Sequence, residues 1–174
     1  MTTRGTTDAL LLRKVDHGNA DLIVTFFTET HGVVTAIGFG ARRSKKRFAV
    51  LEPFHTLRVE LDDMGRDLAT LHAADVTEAR TAYLADLDRM MRASTALGWV
   101  RRVCAPREPE PAIWQALVTF LDDDSEQPEG TSLAVFGVHL LRAAGLMPSS
   151  VRSGMTAGEV IRAVEIVVRE QAGA

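Results

Sequence analysis

Residues 22–39 read Leu22-Ile23-Val24-Thr25-Phe26-Phe27-Thr28-Glu29-Thr30-His31-Gly32-Val33-Val34-Thr35-Ala36-Ile37-Gly38-Phe39. Leu22 to Phe27 is β-branched and aromatic, a composition that fits a pleated, half-buried surface. Thr28 to Gly32 is a short connection of the hairpin kind. Val33 to Phe39 then alternates, with Val33, Thr35, Ile37 and Phe39 on one side and Val34, Ala36 and Gly38 on the other. The small side leaves room for another backbone. Phe26 and Phe27 are neighbours on one strand, so one is expected inward and one outward. Upstream, Ala9 to Val15 is a short apolar run ending in the turn cluster Asp16-His17-Gly18-Asn19. Downstream, Leu57, Val59 and Leu61 alternate with Arg58 and Glu60 at period two. Asp62 to Arg66 is a turn, and Leu68 to Ala74 closes the series. Five short strands with one long connection predict a small closed barrel of the oligonucleotide-binding type over residues 1–76.

The long connection begins Gly38-Phe39-Gly40-Ala41-Arg42-Arg43-Ser44-Lys45-Lys46-Arg47-Phe48. Five of these eleven residues are cationic and none is acidic, in a chain of 174 residues whose net charge is −3. Unpaired Arg and Lys attract phosphates and displace their counterions; the alternative is a solvated loop between two strands. Residues 1–61 hold nine Lys/Arg against six Asp/Glu, whereas residues 62–174 hold eleven against seventeen. A basic front and an acidic back suggest different partners for the two halves. Arg13, Lys14, Arg42, Arg43, Lys45, Lys46, Arg47 and Arg58 are the candidate phosphate contacts. Phe39 and Phe48 are candidate stacking faces, with Phe48 expected to be partly exposed. Such contacts imply low sequence selectivity.

After residue 76 the period changes. Tyr83, Leu84, Leu87, Met90, Met91, Leu97, Val100, Val103 and Cys104 recur at helical spacing, predicting an amphipathic helix of about six turns. The Pro-rich stretch Ala105 to Pro111 breaks it, and Pro111 suits the first turn of a second helix. Thr131 or Ser132 can cap a third helix, Leu133 to Ala144, which is apolar nearly all round and is expected at the buried centre. Gly145 ends it. Thr156-Ala157-Gly158-Glu159 has capping-box spacing before a last helix. Residues 77–174 are therefore read as an all-α domain, and the chain as α+β.

No catalytic arrangement stands out: the sequence has no P-loop, dinucleotide fingerprint or nucleophile elbow. His139 is expected as a core histidine, His31 as a turn residue, and Asp62-Asp63 as turn residues. A hydrolase built on His31 or His55 is the least favoured reading. Cys104 follows Arg101 and Arg102, which would lower its pKa; packing is the simpler role. One Cys and five scattered His leave no zinc spacing, so neither metal nor cofactor is expected. No apolar run approaches the ~20 residues that span a bilayer, and the polar N-terminus lacks a signal-peptide core. A cytoplasmic, nucleoid-associated location is expected, with which the single cysteine is consistent.

Together, "D-L-I-V-T-x-F-T" at Asp21–Thr28, His31-Gly32, "G-A-R-R-S-K" at Gly40–Lys45 and Leu51-Glu52-Pro53-Phe54 resemble the N-terminal domain of RecO, the bacterial recombination mediator. The resemblance covers about residues 8–75. Downstream, Leu140 to Pro148 is similar to the point where the family's helical domain ends one helix. The resemblance implies an oligonucleotide-binding barrel followed by helices. It also implies binding of single- and double-stranded DNA, strand annealing, and recombinase loading at single-stranded gaps with RecR and the single-strand-binding protein, without bond-breaking catalysis. A four-cysteine zinc motif common in the family is replaced here by Ser149-Ser150-Val151-Arg152-Ser153, and the helical half is expected to be shortened. The family holds the acidic, phenylalanine-ended tail of the single-strand-binding protein. That implies an apolar cleft near Trp114, Phe120 and Met147, bordered by Arg101, Arg102 or Arg142. A protein–protein adaptor that has lost most DNA affinity is the alternative.

Overall fold

A computed structural model of the protein describes residues 4–44, 46–48, 51–62, 67–125 and 130–171. The chain forms two compact units. One holds the residues up to Thr81 together with Pro106–Pro109, the other Ala82–Ala105 and the residues from Glu110 onward.

The first unit is a closed five-stranded barrel of β1 (Gly5–His17), β2 (Asp21–Thr28), β3 (Gly32–Gly38), β4 (Thr56–Asp62) and β5 (Ala69–Glu78), in the order β1-β2-β3-β5-β4. All neighbours are antiparallel except β3 and β5, which meet in parallel at Ala36↔Ala69 and Ile37↔Thr70. This is the arrangement of an oligonucleotide-binding fold. Closure leaves no open sheet edge. The interior is filled by every second residue of the strands, among them Val24, Phe26, Val34, Ala36, Leu57, Val59, Leu61 and Leu71. The small side of β3 is thus its core side. Phe26 enters that core as alternation requires. One of the pair is expected to face outward, yet Phe27 is as fully buried as Phe26.

Pro106–Pro109 joins the barrel beside β3. Pro106 bridges Val33 in parallel, and the Arg107 amide donates to the Val33 carbonyl at 3.0 Å. Gly32, at φ +65, makes the approach possible: a side chain there would overlap the Glu108 backbone.

The second unit contains α1 (Leu87–Val103), α2 (Pro111–Asp122), α3 (Thr131–Ala143) and α4 (Ala157–Gln171). The first helix starts later than its apolar periodicity suggests. Tyr83 and Leu84 lie in a 3-10 turn, Thr81–Leu84, because Asp86 caps α1 by accepting from the Arg89 amide at 2.9 Å. Helix α3 is capped by the left-handed Gly130, not by Thr131 or Ser132. Nor is it buried all round: Leu133, Phe136, Leu140 and Leu141 are buried, but Val135 and His139 are exposed. Gly137 lets α3 lie against α1 and α4, since an added Cβ would come within 2.9 Å of both Trp99 and Val164. The end of α3 is a Schellman turn around Gly145, with Gly145 N–H to the Arg142 carbonyl (3.2 Å) and Leu146 N–H to that of Leu141 (2.8 Å). The expected capping box opens α4: the Thr156 amide donates to Glu159 Oε2 at 2.8 Å, and the Glu159 amide to Thr156 Oγ1 at 3.3 Å. The bonds from the Thr156 amide and, at 2.8 Å, the Thr156 hydroxyl hold the Glu159 carboxyl below its usual range. No helix among the described residues is long and apolar enough to cross a membrane.

Candidate nucleic-acid interface

Strand β1 is longer than its partner β4. It pairs with β4 only from Gly5 to Leu10 but with β2 as far as His17. A register shift between Leu11 and Arg13 separates its buried half from a half, Arg13–His17, whose five residues are all exposed. Backbone amides of the loop after β3 tie it to the β1–β2 turn and to the first residue of β2. The Gly40 amide donates to Asp21 Oδ1 at 2.8 Å and the Arg42 amide to the Ala20 carbonyl at 2.9 Å. Further on, the Ala74 amide donates to the Arg47 carbonyl at 2.9 Å, and Phe48 enters the barrel core. The basic run is therefore pinned at both ends, on the same end of the barrel as Arg13 and Lys14.

The cations differ in how they are engaged. Lys14 Nζ donates to the Leu51 carbonyl at 2.8 Å and to Glu52 Oε1 at 3.0 Å. Arg42 stands 3.4 Å from Asp16. Arg47 donates to Ser44 Oγ and to the Phe39 carbonyl, both at 3.3 Å, with its guanidinium 5.2 Å from the Phe48 ring centre. Arg13, Arg43 and Lys46 make no ion pair among the described residues, and Lys45 lies outside them. The Lys14 and Arg42 pairs are exposed, of a kind worth about 0–1 kcal/mol, so a phosphate can displace them at little cost. Arg58 is not part of this cluster. It projects from β4 opposite Asp8, at 2.6 Å, and that hydrogen bond raises its pKa.

Phe48 does not offer a face to a base: it is 5% exposed, and its ring packs beside Gly38. Phe39, at 56% exposure, does. Sequence reasoning missed the surface next to Phe39. Cross-strand pairing sets Val15, Ile23 and Ile37 in one row and Arg13, Thr25 and Thr35 in the next, across β1, β2 and β3. Thr25 and Thr35 join their hydroxyls at 3.3 Å. The β2–β3 face is the one that binds oligonucleotides in this fold. Its signal was the Val33-Thr35-Ile37-Phe39 side of the alternation, which pattern alone does not assign to solvent.

Three of the histidines are locally engaged. His31 Nδ1 meets Thr30 Oγ1 at 2.7 Å. His55 Nδ1 accepts from the Arg80 amide at 3.0 Å; burial, and then the charge of Arg80, hold His55 below its ordinary pKa. His72 Nε2 meets Asp62 Oδ2 at 2.6 Å; Asp63 lies outside the described residues. No group of three or more His, Cys, Asp or Glu that could hold a metal occurs among the described residues. Burial pushes the Cys104 thiol up to about 12, so Arg101 and Arg102 do not activate it.

In the helical unit an open groove of about 880 Å³ lies between α2 and α3. Phe120 lines it, but Trp114, Arg101, Arg102 and Arg142 do not, and its charged members are Asp122 and Asp123. Trp114 is buried. Arg102 lines a separate groove of about 350 Å³ with Trp99, Glu165 and Arg169.

Residues 1–80 match the family described as "Recombination protein O N terminal". The chain is 38% identical over 143 residues to "DNA repair protein RecO" of Myxococcus xanthus (strain DK1622), an alignment covering 81% of this chain and 59% of that protein. It is 36% identical over 156 residues to the protein of the same name in Anaeromyxobacter sp. (strain K), covering 86% and 61%. It is 31% identical over 141 residues to that of Geobacter metallireducens, covering 80% and 57%. The chain thus spans about three-fifths of the length of these curated relatives. By its barrel, by the motifs on it and by these relatives, residues 1–80 match the N-terminal domain of the recombination protein O family, and the chain is similar to that family's DNA repair proteins.

Proposed function

We propose that the protein is a DNA-repair protein that acts by binding DNA and annealing complementary strands, as a recombination mediator and not as an enzyme. The observation that carries this reading is the pinned basic loop, with Arg13, Arg43 and Lys46 unpaired among the described residues beside a partly exposed β1–β2–β3 face. In this reading the barrel, residues 1–76, holds DNA, and the helical half, residues 77–174, docks other proteins. RecR and the single-strand-binding protein are the partners expected from the family, at single-stranded gaps where recombinase is loaded, in a cytoplasmic, nucleoid-associated setting.

The physics of annealing fits the surface. Two phosphate backbones repel, and a cluster of cations screens that repulsion. The sheet face offers one exposed aromatic, Phe39, beside aliphatic and threonine side chains. Base–aromatic stacking contributes about 1–3 kcal/mol per base, so a face with a single stacker holds bases weakly and leaves them free to pair. The test is a salt titration of single-stranded DNA binding. Neutralising Arg42, Arg43, Lys45, Lys46 and Arg47 together is expected to abolish most affinity and to flatten the slope of log K against log salt by roughly 3–4 units. Affinity and slope unchanged would overturn the reading. That result would leave the adaptor, which is favoured by one observation: Lys14, Arg42 and Arg58 already have acidic partners.

A further inference from the structure

Beyond its pairing with β4, strand β1 runs on as an overhang, Arg13–His17, whose two sides carry different chemistry. Arg13 and Val15 stand opposite Thr25 and Ile23 on the outer face. Lys14 and Asp16 stand opposite Val24 and Leu22, which belong to the barrel core, so they share the inner side. Each is met there by a group of opposite sign from the connection between β3 and β4. Asp16 Oδ2 lies 3.4 Å from Arg42 Nη2, near the start of that connection, and Lys14 Nζ lies 3.0 Å from Glu52 Oε1, near its end. The pairs are reciprocal: the strand supplies one acid and one cation, and so does the connection. In both pairs the acid is the more exposed side chain, 67% against 42% for Asp16 and Arg42, and 58% against 36% for Glu52 and Lys14. The cations are also held without the acids. The Arg42 amide donates to the Ala20 carbonyl at 2.9 Å, and Lys14 Nζ donates to the Leu51 carbonyl at 2.8 Å. Moving a carboxylate aside thus leaves its cation in place and open to another anion.

We propose that Asp16 and Glu52 are internal competitors of phosphate, which occupy Arg42 and Lys14 in the free protein and reclaim them as DNA leaves. This rests on the reading of the barrel as a DNA-binding surface. Arg13, Arg43 and Lys46, without ion pairs among the described residues, draw a strand in and keep hold of it, whereas Arg42 and Lys14 are contested. The exchange is favoured on arrival. An exposed carboxylate pair is weak, and a phosphate on a polyanionic strand brings the release of condensed counterions as well as its charge. A carboxylate of this chain offers no such release. The reverse exchange needs no diffusion, because each displaced carboxylate stays within reach of its cation. A bound strand is therefore loosened one phosphate at a time, and an annealing protein has to give up the duplex it forms.

The test compares the full chain carrying Asp16→Asn and Glu52→Gln with the unaltered chain, in salt titrations and stopped-flow dissociation of a fluorescent single-stranded oligonucleotide. If the carboxylates are displaced on binding, both proteins contact the same number of phosphates. The double variant is then expected to bind about five- to tenfold more tightly, mostly through slower dissociation, with the slope of log K against log salt unchanged. If instead the pairs persist in the complex, freeing the two cations adds two phosphate contacts and steepens the slope by roughly 1.4 units, which would overturn the proposal. Unchanged affinity would overturn it too. Glu29→Gln removes an exposed charge at the far end of β2, and is expected to change affinity less than about twofold. A gain there equal to that of Asp16→Asn or Glu52→Gln alone would reduce the effect to net charge and sink the idea. With Lys14→Gln and Arg42→Gln already in place, the two acid substitutions are expected to change affinity less than about twofold, since no cation remains for them to free. A gain retained in that background would mean that the acids only repel DNA, again against the proposal. Failure of the underlying reading looks different: the unaltered chain itself would show no salt-dependent binding, and the proposal would fall with it.

Discussion

The loop after β3 and the α2–α3 hairpin are each stretches of a single charge sign, but they are fastened differently. Backbone amides of Gly40 and Arg42, bonded to Asp21 and to the β1–β2 turn, and that of Ala74, bonded to Arg47, fasten the loop, with one buried ring, Phe48, as its anchor. Of its described cations, Arg47 helps to hold it, through Ser44 and the Phe39 carbonyl, while Arg43 and Lys46 make no ion pair among the described residues. Side chains hold the hairpin: the buried Tyr83 hydroxyl donates to the Leu121 carbonyl at 2.9 Å, and Arg89 gathers Asp124 and the end of α2. A barrel can therefore present cations that are free to meet a ligand. A helical hairpin needs charged and polar groups to close its own helix ends, so fewer of them are free.

The largest effect should come from the loop's anchor. Phe48→Ala is expected to cost about 3–5 kcal/mol in urea unfolding, the range for a buried Phe, and to weaken DNA binding as well. A cost below about 1 kcal/mol would mean that the loop stands independently of the core. Next comes the separation of paired from unpaired cations. Arg13→Gln, Arg43→Gln and Lys46→Gln together are expected to change stability by less than about 0.5 kcal/mol. They should flatten the salt slope by roughly 2 units, which is about a hundredfold in affinity at 0.1 M salt relative to 1 M. Lys14→Gln, Arg42→Gln and Arg58→Gln should do less, and an equal effect would erase the distinction drawn from Asp16, Glu52 and Asp8. On the other side, Tyr83→Phe is expected to cost about 1–2 kcal/mol by leaving a buried carbonyl short of a donor. DNA affinity should not change with it; a fall in affinity would show that the hairpin's fastening is felt at the barrel. The smallest effect is in pH. His55 has a folded pKa below its ordinary 6.5, so the unfolded chain binds a proton first as pH falls. Stability should be flat with respect to this group above pH 6.5 and should decline below it. In a pH series of unfolding curves, His55→Gln should remove that component, and an unchanged curve would mean that Arg80 and the burial of His55 do not couple to folding.

Composition, together with period two in Val33–Phe39 and Leu57–Leu61, was enough to place all five strands. It was not enough for Phe27, which is buried although its neighbour Phe26 is the one in the barrel core, nor for Phe48, which lies in no strand. Its burial follows from a bridge to Ala74, far away in sequence. The cations were legible by type and clustering, but their acid partners were not. Asp16 and Glu52 lie on other segments, and Asp8 meets Arg58 only through the β1–β4 register. In the helical half, hydrophobicity alone overstated the burial of α3, because Val135 is as apolar as its buried neighbours. The missing cations of the groove were present in the sequence as a long gap in Lys and Arg. Only the pairing of α2 with α3 made that gap one surface.

The strap of Pro106–Pro109 beside β3 has a consequence for the order of events at the ribosome. Residues up to Thr81 supply every strand of the barrel, yet the segment that packs over Gly32 is made 25 residues after Thr81. At about 5–20 residues per second, the nascent barrel waits roughly one to five seconds with the side of β3 uncovered, while α1 is still being translated. Any protein that meets the emerging chain in that interval finds an accessible Val33 carbonyl, which the finished molecule gives to Arg107.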